Sequence, residues 1–315
     1  MKPFRKILVD VDALADVHPA VEAAAELASH TDADVTLADV LPAVPNAARR
    51  YVNERVEQEL ADHRRERLAF IAQTIAARTT PARRHRTLLL RGRPADAMIA
   101  EAVSGGYDLL IRSHGRDLAE SVPAFGPVDR ELLRHCPCPV WIVAAGRAAR
   151  PRRILAAVDA GAKDPIDVRL NIEILEAALL VRAIEDAELT AIYAWQIFGE
   201  SLLRSHMSES EFDGLISETQ AAAQADLDAV VAAANAGDKP IRATLIKGEP
   251  ERVLPAYIRD HAIDLVVMGT VGRGGLAGLV TGNTAERVLH ELRGSVLAVK
   301  PEGFGSRQDR GHLNK

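Results

Sequence analysis

Short apolar runs recur along the chain, separated by longer stretches in which apolar residues return every three or four positions. The runs at 6–11, 34–40, 86–90, 107–111 and 139–144 have the length and continuous apolarity of strands covered on both faces. Between them, Val21, Ala24 and Leu27 share one helical face, and Val52, Val56 and Leu60 share another. After Pro151 the alternation restarts. It opens on Ile154–Val158 and continues with strand runs at 187–194, 241–246, 263–268 and 295–299. Helical stripes fall on Ile172, Leu175 and Leu179, on Phe212, Leu215 and Ile216, and on Leu227, Val230 and Val231; Asn235-Ala236-Gly237-Asp238 then ends that helix. Strands alternating with helices predict an α/β protein with parallel sheets, right-handed crossovers and helices on both faces. The expected fold is two tandem doubly wound parallel five-stranded sheets.

The restart is an internal repeat. Arg5-Lys6-Ile7-Leu8-Val9-Asp10-Val11-Asp12 matches Arg152-Arg153-Ile154-Leu155-Ala156-Ala157-Val158-Asp159 at an offset of 147. Arg91-Gly92-Arg93-Pro94, Tyr107–Ile111 and Cys138–Val143 match Lys247-Gly248-Glu249-Pro250, Ile263–Val267 and Gly294–Val299 at 156. The added residues of the second copy therefore fall in its early helices or loops. The expected domains are 1–146 and 151–301, followed by a flexible tail at 302–315.

Composition narrows the function. Lys+Arg is 39 and Asp+Glu 44, a net charge of −5. That argues against direct nucleic-acid binding as the chain's main role. No apolar run approaches the ~20 residues of a membrane span, and Ile7-Leu8-Val9 is too short for a signal-peptide core. The two cysteines, Cys136 and Cys138, exclude a disulfide framework and favour a reducing, cytoplasmic setting.

The candidate chemistry lies after the run ending at Met268. Six glycines fall between 269 and 282. Without a β-carbon they let backbone approach a ligand closely. A helix is expected from Asn283 or Thr284, with Asn283 as N-cap and Glu286 completing a box. Amides of the loop and of that helix start suit a phosphate; the alternative is a plain flexible connection. No Gly-Lys-Ser/Thr follows, so it is not a Walker loop. Gly272-x-Gly274-x-x-Ala277 fits a dinucleotide pattern only loosely and after the wrong strand.

Gly269-x-x-Gly272, nine residues, then Gly282 and a polar residue resembles the nucleotide signature of the universal stress protein (UspA) family. The Ile154–Asp159 opening, the Lys247–Pro250 turn and the Ser295–Val299 ending fit that family too, and the two-copy layout is similar to its tandem members. The resemblance spans about residues 4 to 301. It implies an adenine nucleotide alpha hydrolase-like fold and an adenine-nucleotide site for ATP, with Mg. Residue by residue, it implies Asp159 near base or ribose and Ala194 walling the adenine. Met268 and Gly269 would border the nucleotide. Val271 and Gly272 would lie at the phosphates, closed by Gly282, Asn283, Thr284 and Ala285. Asn283 departs from the Ser or Thr common in ATP-binding members; its amide can still donate, and Thr284 carries a hydroxyl one place later.

In the first copy, Arg112 is read at the place of Gly269, with Gly126-Pro127 one residue off the spacing. That predicts no nucleotide site there; Arg112 and His114 are either a separate anion site or solvated. Asp10 and Asp12 are read as capping the turns after their strand. Cys136-Pro137-Cys138, with His135 beside it, is short of a zinc set and reads as buried packing. Trp141 and Trp195 read as packing residues, and Glu57–Arg67 as the wet face of a helix. No nucleophile elbow, zinc helix or kinase signature occurs, so no catalytic residue is assigned and the expected role is binding and regulation in stress. Two alternatives stay open: a nucleotide-free protective scaffold holding an apolar or acidic small molecule, and slow ATP hydrolysis. The family's habit of pairing last strands implies an internal pseudo-dimer through 139–144 and 295–299; a homodimer is a further option.

Overall fold

In the computed structural model the described residues are 4–78, 85–114, 125–144, 150–234, 239–270, 282–292, 294–301 and 304. The first half runs β1 (Lys6–Asp10), α1 (Pro19–Thr31), β2 (Asp34–Leu41), α2 (Glu54–Ala76), β3 (His85–Arg91), α3 (Pro94–Gly105), β4 (Leu109–Ser113), α4 (Pro127–His135), β5 (Val140–Val143). The second runs β6 (Arg153–Ala157), α5 (Pro165–Glu185), β7 (Glu188–Trp195), α6 (Glu200–His206), α7 (Glu209–Ala233), β8 (Arg242–Lys247), α8 (Pro250–Asp260), β9 (Leu265–Gly269), α9 (Asn283–Glu291), β10 (Ser295–Val299).

All ten strands join one sheet in the order β3-β2-β1-β4-β5-β10-β9-β6-β7-β8. Every pairing is parallel except β5 with β10, where Val296 faces Ile142 and Ala298 faces Val140. The two expected sheets are thus one continuous sheet, with Ser295 Oγ accepting from the Ala144 amide at 3.0 Å across the seam. Side-chain alternation explains the unbroken apolar runs. Ile7 and Val9 enter the core under α1, α2, α5 and α7, whereas Leu8 enters the core under α3, α4, α8 and α9. Helices cover both faces, so neither strand parity needs to be polar. The outer strands β3 and β8 carry Arg86, Arg91, Arg242 and Lys247, charges of the kind that discourage edge-to-edge association.

The register places seven of the nine added residues between β6 and β7, where α5 has 21 residues against 13 in α1. Gly92 and Gly248 hold matching turns at φ +122° and +139°, each two residues before the proline that starts the next helix.

Three periodicity readings need correction. Val52 precedes α2 and Leu60 is exposed; the buried face of α2 is Ala61, Leu68, Ile71 and Ile75. Asn53 instead starts that helix by accepting from the Val56 amide. Strands β4 and β9 start two residues later than read, because Tyr107 is apolar for burial and its amide still closes α3 on Ala102. The helix stop at 235–238 and, apart from Phe304, the tail at 302–315 lie outside the described residues.

Candidate functional site

Each half reverses its strand order next to its first strand, β1 against β4 and β6 against β9. Doubly wound sheets bind ligands at that reversal, beyond the carboxyl strand ends. In the second half Ala157 registers with Met268, so Asp159 follows one wall and Gly269-Thr270 the other. Asp159 is held by α5: its amide donates to Asn171 Oδ1 at 2.8 Å, and Asn171 Nδ2 donates to its carbonyl at 2.7 Å. Asn171 is buried. It was missed at the sequence level, although a polar residue set among Leu170, Ile174 and Leu175 is a visible signal.

Ala194 lies near the end of β7, partly exposed; its neighbour Tyr193 puts its hydroxyl where a β-carbon on Gly161 would stand, at 2.3 Å. Gly161 is therefore needed for close approach of the loop after β6 to β7. Met268 is buried. Gly269 is not a positive-φ position; a β-carbon there would meet Leu170 at 3.0 Å, so its glycine serves helix packing. The Gly282 amide donates to the Thr270 carbonyl at 3.1 Å, closing the base of the intervening loop. Val271 and Gly272, within that loop, lie outside the described residues.

The start of α9 differs from expectation. Gly282, not Asn283, is the N-cap, with no side chain capping it. Asn283 is thus the first helical residue, followed by Thr284 and buried Ala285. Glu286 is not part of a cap; it pairs with Arg134 of α4 at 3.0 Å. The amides of Asn283, Thr284 and Ala285 are first-turn donors of α9 with no acceptor within the helix, and the Gly282–Thr270 bond sets the positive end of its dipole beside the end of β9.

The first half is built oppositely. Register pairs Asp10 with Arg112 and Ser113 with Val143, while Ala157 pairs with Met268 and Gly269 with Val299. Arg112 therefore stands where Met268 stands, and Ser113 is the counterpart of Gly269. Gly126 and Gly282 are both N-caps at matching spacing. The one-residue mismatch read from the sequence came from starting the count at the wrong residue. The positions equivalent to Asp10, Arg112 and Asp129 are then Ala157, Met268 and Ala285.

Arg112 donates to Asp10 and, through Nε, to Asp129 at 2.7 Å. Asp129 also accepts from the Gly126 amide at 2.9 Å and contacts His114 Nδ1 at 3.2 Å. Burial raises the Asp10 carboxyl above the ordinary range despite Arg112. Burial pushes Asp129 the same way, but His114, Arg112 and the Gly126 amide outweigh it and hold that carboxyl low. Asp10 is thus an ion-pair partner and not a turn cap, whereas Asp12 does cap, accepting from Leu14 at 3.0 Å. Two arginines from the expected wet face also turn inward: Arg64 grips Asp39 at 2.7 and 2.9 Å, and Arg67 reaches the carbonyls of Ala13 and Ala15. Ser113 Oγ accepts from the Ala20 amide at the start of α1. The Arg112 charge is already matched by two carboxylates, which removes the reading of Arg112 and His114 as a free anion site.

A doubly wound sheet repeated in tandem, with the switch point of its first half filled by an ion cluster, defines a tandem α/β protein. The universal stress protein family model matches residues 3–144 and again 151–300, and the chain belongs to that family. Universal stress protein E of Escherichia coli K12 is 31% identical over 214 residues, 67% of this chain and 66% of that protein. A functionally unknown protein from Pseudomonas aeruginosa PAO1 is similar across 95% of this chain and 94% of its own, at TM-score 0.69 and 25% identity. A universal stress protein from Archaeoglobus fulgidus shares the fold over 94% of this chain and 98% of its own, at TM-score 0.65 and 18% identity. Among the described residues no helix is long and apolar enough to cross a membrane, and no three His, Cys, Asp or Glu side chains are grouped to hold a metal.

Proposed function

We propose that this is a stress-response binding and regulatory protein whose second half takes an adenine nucleotide, ATP with Mg, while its first half is a structural copy. The observation that supports this most is the exchange of Asp10, Arg112 and Asp129 for Ala157, Met268 and Ala285 at equivalent positions. One switch point is filled by its own charges; at the other the counterpart positions carry small and apolar side chains beside the first-turn amides of α9. An apolar wall with backbone donors suits a base and a phosphate chain. In this reading Asp159, held by Asn171, meets the ribose or base, and Ala194, Met268 and Gly269 wall the adenine. Val271, Gly272, Gly282, Asn283, Thr284 and Ala285 enclose the phosphates. Two solved universal stress proteins are complexes with cAMP and with dAMP.

The sequence carries no nucleophile elbow, zinc helix or kinase signature, and in this reading occupancy and not turnover is the signal. Occupancy acts by favouring the loop-ordered state over others. The antiparallel β5–β10 seam takes the place of a dimer contact between single-copy chains, with the cytoplasm as setting.

Calorimetry of the full chain with ATP·Mg tests this, with mass spectrometry of nucleotide released on denaturation. One site per chain is expected. Met268→Arg with Ala285→Asp, which rebuilds the first half's ion pair, abolishes it. No heat and no released nucleotide would leave the protective-scaffold reading, and sustained phosphate release the hydrolase reading.

A further inference from the structure

The turn between α4 and β5 carries Cys136 and Cys138, both free and buried, with sulfurs 3.5 Å apart. Cys136 is the extended C-cap of α4, and Pro137 locks the next backbone torsion, so the turn presents both sulfurs to one another. The β5–β10 pairing brings Lys300, the residue after β10, to this turn. Lys300 is 5% exposed. Its ammonium donates to the Leu133 carbonyl in the last turn of α4 and to Thr270 Oγ1 at 2.7 Å, and lies 4.7 Å from the Phe304 ring centroid. Burial lowers the Lys300 ammonium, and Cys136 and Cys138 are the groups that oppose that shift. The fold itself needs none of these three residues. The second half has Leu292 and Gly294 at the positions of the cysteines, and the first has Ala144 at the position of Lys300.

We propose that Cys136 and Cys138 are a redox-active dithiol that hydrogen peroxide closes to a disulfide, with Lys300 as the buried cation beside Cys136. The Cys136 thiolate attacks one peroxide oxygen; the O–O bond breaks and hydroxide leaves, taking a proton to become water. The resulting sulfenic acid is met by the Cys138 sulfur. An S–S bond forms, the S–O bond breaks, and the departing hydroxide takes the Cys138 proton as a second water. Two electrons pass from the dithiol to the peroxide. The hydrogen bond with Cys138 lowers the Cys136 thiol, and burial opposes it. The same Lys300 binds Thr270, whose carbonyl closes the loop of the second half, so closure removes the anionic partner of a cation anchored at the root of that loop. In a reducing cell such a bond is transient, as expected of a sensor.

The test uses the reduced full chain and hydrogen peroxide, followed by alkylation and mapping of the tryptic peptide 135–147. The expected peptide resists alkylation, is lighter by two hydrogens, and takes two alkyl groups after dithiothreitol. Cys138→Ser stops at a Cys136 sulfenic acid that dimedone traps. Lys300→Met slows closure about tenfold, the effect of one pKa unit on thiolate population, and Lys300→Arg retains most of the rate. The proposal is overturned if both cysteines stay alkylatable, if each oxidises alone to sulfinic acid, or if Lys300→Met closes at the wild-type rate.

Discussion

Arg112→Met installs in the first half the side chain that its counterpart, Met268, has in the second. The strand keeps an apolar side chain of similar length, but Asp10 and Asp129 lose the cation they share. Their side chains are 6% and 3% exposed, and that of Arg112 is 23% exposed. Removing one partner of a buried pair costs about 3–5 kcal/mol. Arg112 is partly solvated and Asp129 keeps the Gly126 amide and His114, so the lower end, about 3 kcal/mol, is expected. At about 2–4 °C per kcal/mol for a unit of this size, the first half should melt about 6–12 °C earlier. The pH dependence has a defined sign. In the wild type Asp129 is held low, so its contribution is present above the unfolded value and fades as pH falls through the folded one. Without the guanidinium, burial acts on Asp10 unopposed and Asp129 loses one of the groups that hold it low, so both carboxyls shift upward. A folded state that binds more protons than the unfolded one loses stability as pH rises. The deficit is therefore largest near neutrality and shrinks toward about pH 4–5. Urea unfolding followed by the fluorescence of Trp141, buried in β5, at neutral and mildly acidic pH measures both. A deficit under about 1 kcal/mol, or one equal at the two pH values, refutes the reasoning.

Asp10→Ala/Arg112→Met/Asp129→Ala, which copies the second half's set, should recover most of the single variant's loss in the same titration, because a whole buried charge set can be replaced by apolar residues at little or no cost. Asn171→Ala removes the side-chain acceptor of the Asp159 amide and the side-chain donor to its carbonyl; a loss of about 1–3 kcal/mol and weaker calorimetric ATP binding are expected. Gly294→Ala would put a β-carbon 2.4 Å from the Asp264 carbonyl oxygen, and an overpacking cost of about 1–3 kcal/mol should appear in the denaturation midpoint. Burial depresses Lys300 from 10.5 to about 8. Between those values the unfolded chain binds more protons, so stability should rise with pH there, and the difference between wild type and Lys300→Met measured across that window should carry this slope.

Strand and helix order was legible because periodicity and apolarity are local properties, and the repeat made each half check the other. The Ile7–Val9 and Val266–Met268 runs could only be strands covered on both sides, given the alternation around them. The glycine-rich stretch after Met268 and the closing Gly282 likewise announced themselves by type and spacing. What periodicity cannot carry is partnership at long range. Arg112 and Asp10 are 102 residues apart, and Lys300 and Leu133 are 167 apart. Whether an arginine meets solvent, a ligand or two aspartates depends on which strands become neighbours. The same holds for α2, where Arg64 and Arg67 left an expected solvent face for strand-end partners, and for Gly269, whose missing β-carbon makes room for Leu170. Local sequence determined the elements and their repetition; only the tertiary pairing decided which switch point its own charges fill, because the electrostatics of a buried group are set by what the fold packs against it.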